Sequence, residues 1–543
     1  MVIGVPKQLG ETAGMLRALV ATGVIRPGRP DHLPRLAISL RRWGRSPAAG
    51  IAALAALYGD EPYVIDELGT LSFGEVERRT NALASSLAEG GVGPGDVVAL
   101  MCRNHRGFID AALACSKLGA DCVLLNTDFA GPQLAGVIER ERPAAVICDQ
   151  EFEPLLAGGA GAGDVPRFLG WIDQPGSAPS LEQLIAAGDP SPPNPPAEPG
   201  RLTILSSGTT GTPKGVQREG DGSLAPLLGY MERVGLRARE TQVIAAPMFH
   251  GWGLLHLGVS LLLGTPVVLR RRFDPEATLE SIARHRAATA SLVPVMLQRI
   301  VDLDPEVRRR HDTRSLRAVT LGGSALPGEL AIRAMDALGD VVFNTYGSTE
   351  VALATTATPA DLRAAPATAG RPLPATEVRI LDAGGRALPA GEPGRIFVGS
   401  ELAASGYTGG GGKQVIDGFT SSGDLGHFDA EGRLYIDGRE DDMIVSGGEN
   451  VFPGEVEDLL ANHPAIAEAA VIGVGDDDFG QRLCAYVVVR EGAELDADGV
   501  RGHVKANLAR YKVPRDVEFI AALPRNPTGK VLKRELGTGS GTR

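Results

Sequence analysis

The chain has 543 residues, a net charge of −12 and 43% apolar residues, enough apolar material for large buried cores and too much for a disordered protein. Glycine (71) and proline (38) make up about a fifth of it, below the roughly 25–30% of low-complexity chains, so the excess belongs to turns and close backbone approaches. The acidic balance disfavours a general nucleic-acid binder, which needs a basic field.

Length alone, at about 150 residues per domain, predicts three or four domains. The five cysteines, Cys102, Cys115, Cys122, Cys148 and Cys484, are odd in number and form no C-x-x-C pair. They read as reduced, mostly buried thiols of a cytoplasmic protein.

Residues 1–50 are a basic arm. The stretch Met1 to Gly14 holds Lys7 and Glu11 and leads into no apolar core, unlike a signal peptide. Between residues 17 and 45 seven arginines face one acid, Asp31, while Leu33, Leu36, Ile38, Leu40 and Trp43 make part of the stretch amphipathic. Two readings stand: an arm packed on its own acidic domain, or peripheral contact with an anionic membrane through residues 17–45.

From Tyr63 the pattern alternates. Asp96–Met101, Asp121–Leu125 and Pro143–Cys148 read as buried strands, and Phe108–Leu118 and Gln133–Arg140 as helices. That order predicts a parallel α/β sheet. Ala157–Gly163 reads as a loop, and the proline-rich Asp189–Gly200 as a stiff extended connector.

The apolar run Leu202–Leu205 predicts a strand, followed by Ser206-Ser207-Gly208-Thr209-Thr210-Gly211-Thr212-Pro213-Lys214-Gly215. Its glycines let backbone approach a ligand, and its hydroxyls and Lys214 supply donors for phosphate oxygens. A polar hairpin is the plain alternative. A Walker A loop is excluded, because Pro213 precedes Lys214 and Gly215 follows it.

Trp252–Leu269 is an 18-residue stretch without formal charge. It contains His256, interior glycines and Pro266, so a buried helix, a turn at Gly264-Thr265-Pro266 and a short strand Val267–Leu269 is expected rather than a membrane span. No cluster of His, Cys and carboxylates has a spacing in the sequence that supports a zinc site.

The 206–215 string resembles the phosphate loop of the adenylate-forming superfamily, which includes acyl-CoA synthetases, peptide-synthetase adenylation domains and beetle luciferase. Further segments resemble that superfamily in its own order, from Tyr63 to Arg534. They are Thr320-Leu321-Gly322-Gly323-Ser324, Tyr346-Gly347-Ser348-Thr349-Glu350 after the apolar Val341–Phe343, Ser422-Gly423-Asp424-Leu425-Gly426, the run from Gly438 through Arg439, Asp441, Gly447 and Gly448 to Glu457, and Pro524–Lys533 with Lys530.

The resemblance implies roles for these residues. Ser206, Ser207, Gly208, Thr209, Thr210, Gly211 and Lys214 would hold the ATP phosphates. Gly322, Gly323 and Ser324 would flank adenine and the acyl group. Tyr346 and Gly347 would lie against adenine, Thr349 would contact phosphate, and Glu350 with Thr209 would hold Mg²⁺. Asp424 and Arg439 would bind the ribose hydroxyls, and Gly447 and Gly448 would line the path of the CoA thiol. Asp441 would be the hinge. Lys530 would offset charge as the carboxylate attacks the α-phosphate.

His250, in Pro247–Gly253, falls where the superfamily places an aromatic or histidine beside the carboxylate tunnel. A carboxylate is already ionised at neutral pH, so His250 is expected to position or gate rather than to act as a base, with simple packing as the alternative. Trp252 and Gly323 join it as substrate-facing residues.

The implied fold is α/β: a large N-terminal domain of stacked α/β subdomains with a small β-barrel, and a mobile C-terminal α+β lid. Boundaries are expected at 1–50 (arm), 51–437, 438–441 (hinge) and 442–543 (lid). The implied activity is AMP-forming ligation of a carboxylic acid to coenzyme A through an acyl-adenylate, with ATP and Mg²⁺ and with no nucleic-acid partner. A medium- or long-chain fatty acid is the expected substrate. The alternatives are an acyl-AMP ligase that passes the acyl group to a carrier protein, and an inactive binding protein of the same fold. A homo-oligomer is compatible with the sequence. Two departures are evident: the four-glycine run Gly409–Gly412, and Phe419 where a tryptophan is usual.

Overall fold

In the computed structural model the described residues are 20, 22–24, 32–129, 131–157, 165–174, 178–206, 214–217, 224–404, 406–408, 410–442, 444–446, 449–451, 453–476, 480–508, 510–527 and 529–536. The chain forms two compact units. One comprises 1–292, 299–320 and 404–412, the other 293–298, 321–403 and 413–543.

The first unit is α/β. One sheet runs in the order Gly406–Tyr407, Lys214–Gln217, Leu202–Ser206, Asp121–Leu124, Val97–Met101, Ala145–Asp149, Arg167–Trp171. Its central strands are parallel, with Leu100 opposite both Leu124 and Ile147. They are apolar on both faces because helices cover both faces of such a sheet. Parallel strands of this unit also include Gln242–Ile244, Val267–Leu269 and Thr289–Leu292.

The expected helices appear at Arg106–Leu118 and Gly131–Glu141. The uncharged stretch forms the helix Gly251–Leu263, ended by Gly264 in the left-handed region (φ +58°) before the strand Val267–Leu269. Among the described residues no helix is long and apolar enough to cross a membrane. All five cysteines are buried and free.

The arm's helix His32–Trp43 lies in the same unit. Trp43 and Ser39 are buried on one side. Arg42 donates to the carbonyls of Pro192 and Pro193 (3.4 and 3.0 Å), and Arg35 to that of Ala56 (2.5 Å). This is what a packed arm requires. On its outer side Ile38 is 68% and Leu40 43% exposed.

The second unit holds an antiparallel sheet of Glu377–Leu381, Gly394–Gly399, Phe419–Phe428 and Val415–Ile416, with Leu434–Arg439 paired on Phe419–Phe428. It also holds an α+β element: strands from Ile444 to Phe519 with helices Pro453–Ala461 and Ala497–Asn507 packed on them. The core of this element joins Val456, Leu460, Val471, Leu483, Val500 and Val504. The segment Tyr346–Glu350 sits at a strand end: Tyr346, Gly347 and Ser348 are the last residues of the strand Val342–Ser348, which pairs with Ala352–Ala357. The apolar run stops at Phe343, but the ladder continues through the buried polar Asn344 and Thr345 and the half-buried Tyr346, Gly347 and Ser348.

Candidate active site

In the second unit the structure brings together Tyr346, Asp424, Arg439 and Lys530. Asp424 and Arg439 face each other across the antiparallel pair of strands, with the Arg439 Nη1 3.5 Å from Asp424 Oδ1. Tyr346 donates its hydroxyl to Asp424 Oδ2 (2.6 Å). Ser422 Oγ accepts the Asp424 N–H (3.1 Å).

Burial pushes the Asp424 carboxyl up. The Tyr346 hydrogen bond and the charges of Arg439, Lys530 and Lys413 oppose that. Burial, reinforced by Asp424, pushes the Tyr346 phenol well above its ordinary range, so it stays a donor. Asp424 keeps one oxygen on a long, weak contact with Arg439, and the two side chains remain 12% and 28% exposed. A carboxylate left part-free between cations suits a diol that donates two hydrogen bonds.

Lys530 is exposed, at the tip of a C-terminal hairpin closed by the Arg525–Val531 bridge. Its N–H donates to Asn526 Oδ1 (2.9 Å), and its carbonyl accepts the Asn526 N–H (2.9 Å). Gly529 turns the hairpin at φ +77°, and a Cβ there would stand 2.4 Å from Val295 Cγ1. Only glycine fits so close an approach in that conformation. Arg525 anchors the base through Glu468 (2.9 Å).

The strand Val342–Ser348 bulges between Tyr346 and Gly347. A Cβ on Gly347 would lie 1.9 Å from the Ala352 carbonyl oxygen, which accounts for the glycine. Ser348 Oγ donates to Glu350 Oε2 (3.1 Å) and accepts the N–H groups of Glu350 and Val351 (3.2 and 3.3 Å). Glu350 is thus a half-buried carboxylate on a braced turn, with Thr349 beside it. An oxygen donor of this kind fits Mg²⁺. Gly322, Gly323 and Ser324 follow the strand Ala318–Leu321, with Gly323 left-handed at φ +85°.

In the first unit, Ser206 and Lys214 pair across an antiparallel hairpin, with Leu205 opposite Gly215. Ser207, Gly208, Thr209, Thr210 and Gly211, which the hairpin carries, lie outside the described residues, as do Gly447 and Gly448. Asp441 sits in the short helical turn Glu440–Asp442. Gly215 is held by Thr408, whose Oγ1 accepts its N–H (2.9 Å) and whose N–H donates to its carbonyl (2.7 Å).

His250 is the residue before the helix Gly251–Leu263, and its side chain makes no capping bond. Burial lowers its pKa to about 4, so the ring is neutral at pH 7. Its Nε2 is fully enclosed and has no partner among the described residues. Such an orphaned nitrogen marks a place that a ligand or water completes. Trp252, half-buried, donates Nε1–H to the Leu292 carbonyl (3.0 Å), which fixes its ring.

The ring of Trp252 meets His256 edge-on (centroids 4.9 Å) and Tyr230 (5.9 Å). His256 is fully buried, with Nε2 3.0 Å from both Tyr230 Oη and Thr320 Oγ1 and Nδ1 3.3 Å from Gln242 Oε1. Neither Tyr230 nor the His256–Thr320 link was legible in the sequence. The one signal was a histidine inside an otherwise uncharged run.

Among the described residues, Cys102, His105 and Asp149 bring three metal-type donors within 4.8 Å of one another. Sequence spacing did not anticipate this cluster, because it closes across two strand ends: Cys102 and His105 follow Val97–Met101, and Asp149 ends Ala145–Asp149. It is not a vacant metal site. His105 Nδ1 accepts the Gly107 N–H (3.1 Å) and so caps the helix Arg106–Leu118. Its Nε2–H donates to Asp149 Oδ1 (2.7 Å), and Asp149 Oδ2 accepts the Arg103 N–H (3.0 Å). Both ring nitrogens are committed.

Comparison with known proteins gives the family. The family profile described as AMP-binding enzyme matches residues 51–408, and that of the AMP-binding enzyme C-terminal domain matches 455–530. The chain is 33% identical over 474 residues to a feruloyl-CoA synthase from an Amycolatopsis species, covering 86% of this chain and 93% of that protein. It is 34% identical over 483 residues to an indoleacetate–CoA ligase of Aromatoleum aromaticum, covering 86% and 92%. Among solved structures, the o-succinylbenzoate CoA synthetase of Bacillus subtilis in complex with its acyl-adenylate superposes with a TM-score of 0.79 at 29% identity, covering 91% of this chain and 98% of that one.

Proposed function

The chain belongs to the AMP-binding enzyme family, as an ATP- and Mg²⁺-dependent ligase of carboxylic acids to coenzyme A, and from that premise we propose that its substrate is an aryl-bearing carboxylic acid. The observation that carries this is the relatives' own chemistry: the named acids, ferulate, indoleacetate and o-succinylbenzoate, each join a carboxylate to an aromatic ring. The fixed ring of Trp252, braced by Tyr230 and His256, supports it, since a rigid aromatic wall suits a flat ring better than a flexible alkyl chain. A medium- or long-chain fatty acid, the expectation from sequence, becomes the second reading.

The reaction has two half-steps. The substrate carboxylate attacks the α-phosphorus of ATP, the bond to the β,γ-diphosphate breaks, and acyl-AMP and pyrophosphate form. The CoA thiolate then attacks the acyl carbon and AMP leaves. Glu350 and Thr209 would hold Mg²⁺, which would neutralise charge on the phosphates.

In this reading Asp424 and Arg439 hold the ribose, and Ser206–Lys214 receive the phosphates. Neutral His250 offers its unpartnered nitrogen to the acid's side of the site as a positioning group. Lys530 serves the first step and is withdrawn for the second, when the lid (442–543) turns about Asp441 and Gly447 and Gly448 flank the thiol. Peripheral contact of the arm with an anionic membrane remains part of the proposal, supported by the exposed Ile38 and Leu40 beside Arg41 and Arg45.

The test is pyrophosphate release with ATP and CoA over a panel of acids, with product identification. Release with aryl acids and acyl-CoA as product is the expected outcome. Release confined to alkanoic acids would overturn the substrate reading, and accumulation of acyl-AMP without acyl-CoA would overturn the acceptor.

A further inference from the structure

We propose that Lys413 is a further nucleotide-site residue: a cation fixed beside Asp424 that keeps this carboxylate oriented for the ribose hydroxyls of ATP and of the acyl-adenylate through both half-reactions. The inference rests on the assignment of Asp424 to the ribose, and the test below separates the two.

Lys413 follows the glycine run that sets this chain apart from its superfamily. Gly410 and Gly411 are both in the left-handed region (φ +92° and +82°), which turns the chain immediately before Lys413 as bulkier residues would not. The next residue is pinned. The Gln414 carbonyl accepts the Ser421 N–H (2.8 Å), and its side-chain oxygen accepts from Arg395 (2.5 Å). The lysine stem is therefore rooted alongside the strand Phe419–Phe428, which carries Asp424.

Its ammonium lies over the backbone of Gly423. A Cβ on Gly423 would stand 2.8 Å from Lys413 Nζ, 3.8 Å from its Cε and 3.4 Å from Arg439 Nη2. Gly423, itself at φ +80°, is thus the floor on which two cations converge, one residue before Asp424. A side chain at 423 would displace Lys413 and strain the backbone together.

Three cations act on Asp424: Arg439, Lys530 and Lys413. They are not equivalent. Arg439 stands on the strand paired with that of Asp424 and Lys413 in the segment leading into the strand Val415–Ile416, whereas Lys530 stands on the C-terminal hairpin that the proposed cycle withdraws before thiol attack. When Lys530 leaves, a carboxylate disfavoured by burial would lose one of its counter-charges while AMP is still bound. Lys413 is the cation that remains with Arg439. As a compact point charge on a flexible stem it can follow the carboxylate without competing for the bidentate geometry of the diol.

The test uses the full chain with Lys413→Met, Lys413→Arg, Asp424→Asn and the Lys413→Met/Asp424→Asn double variant. AMP binding is measured by calorimetry from pH 5 to 8, and the two half-reactions are assayed separately. Lys413→Met should weaken AMP binding and raise the KM for ATP by about tenfold, leave the KM values for acid and CoA within about twofold, and slow both half-reactions. It should move the acid limb of AMP binding to higher pH, and Lys413→Arg should recover most of the loss. The double variant should bind AMP no worse than Asp424→Asn alone. If Lys413→Met binds AMP within about twofold of the parent while Asp424→Asn does not, the role of Lys413 is refuted and the ribose assignment stands. If Asp424→Asn also binds AMP normally, it is the ribose assignment that fails, and the proposal with it.

Discussion

Two groups of ionisable residues invite comparison. Cys102, His105 and Asp149 form a closed group. All three are fully buried, both ring nitrogens of His105 are committed, and each Asp149 oxygen has a donor. Tyr346, Asp424, Arg439, Lys413 and Lys530 form an open one. Asp424 carries one short bond, one 3.5 Å contact and residual exposure. By residue type the first group looks the more catalytic. By satisfied hydrogen bonds it is finished, and a finished network stabilises the fold rather than meeting a ligand. Chemistry is better sought where the bonding is incomplete, as at Asp424 with its 3.5 Å contact to Arg439 and at His250 Nε2, which has no partner among the described residues.

Substitutions should pull the two groups apart. In the open group the largest effect belongs to Lys530→Ala. We expect it to slow acyl-AMP formation by about 10²- to 10³-fold while thioesterification of supplied acyl-AMP survives, read by pyrophosphate release and acyl-CoA formation in separate assays. Equal loss in both assays would remove its step-specific role. Asp424→Asn comes next, with ATP binding weakened by about 10- to 100-fold and an unchanged thermal midpoint.

In the closed group the pattern inverts. His105→Ala removes a helix cap and leaves Asp149 buried beside a void, at a cost of about 3 kcal/mol of stability. Its kcat/KM should hold wherever the protein is folded. A loss of activity in folded protein would make the closed group functional after all.

The buried histidines give a weaker, pH-dependent effect. Burial depresses His250 to about 4 and His256 to about 3, below the roughly 6.5 of an unfolded histidine. Between those values the unfolded chain binds more protons, so their contribution is complete above about pH 6.5 and drains away as pH falls toward 4. Denaturant midpoints taken from pH 7 to 4 should fall, and fall less steeply in His256→Gln. The smallest effect concerns the arm. Co-sedimentation with phosphatidylglycerol-containing vesicles should drop about twofold in Ile38→Asp/Arg41→Glu, and equal binding of parent and variant would remove the membrane contact.

Much of this was legible in the sequence. Period and length placed the buried strands Val97–Met101 and Asp121–Leu124 and the helix-turn-strand from Gly251 to Leu269, because apolar runs and glycine punctuation act locally. The motif residues Asp424, Arg439 and Lys530 were named from the string alone, and the fold brings them together. Other features depend on distant segments meeting. Lys413 lay hidden behind a glycine run that read as a loop, and its meaning depends on a neighbouring strand. The His256–Tyr230–Thr320 network joins residues far apart in sequence, and Cys102 and His105 are completed by Asp149 from another strand, so no spacing rule could show them. The strand of Tyr346 extends past its apolar run because buried polar residues, Asn344 and Thr345, continue it opposite Ala357 and Thr356.

The most direct measurement of the account's central claim is a pyrophosphate-release assay of the full chain with ATP, Mg²⁺ and CoA against matched aryl and alkanoic acids, with the thioester identified by mass. The account predicts release and acyl-CoA formation with aryl acids at a higher kcat/KM than with any alkanoic acid. Preference for an alkanoic acid, or release without acyl-CoA, would contradict it.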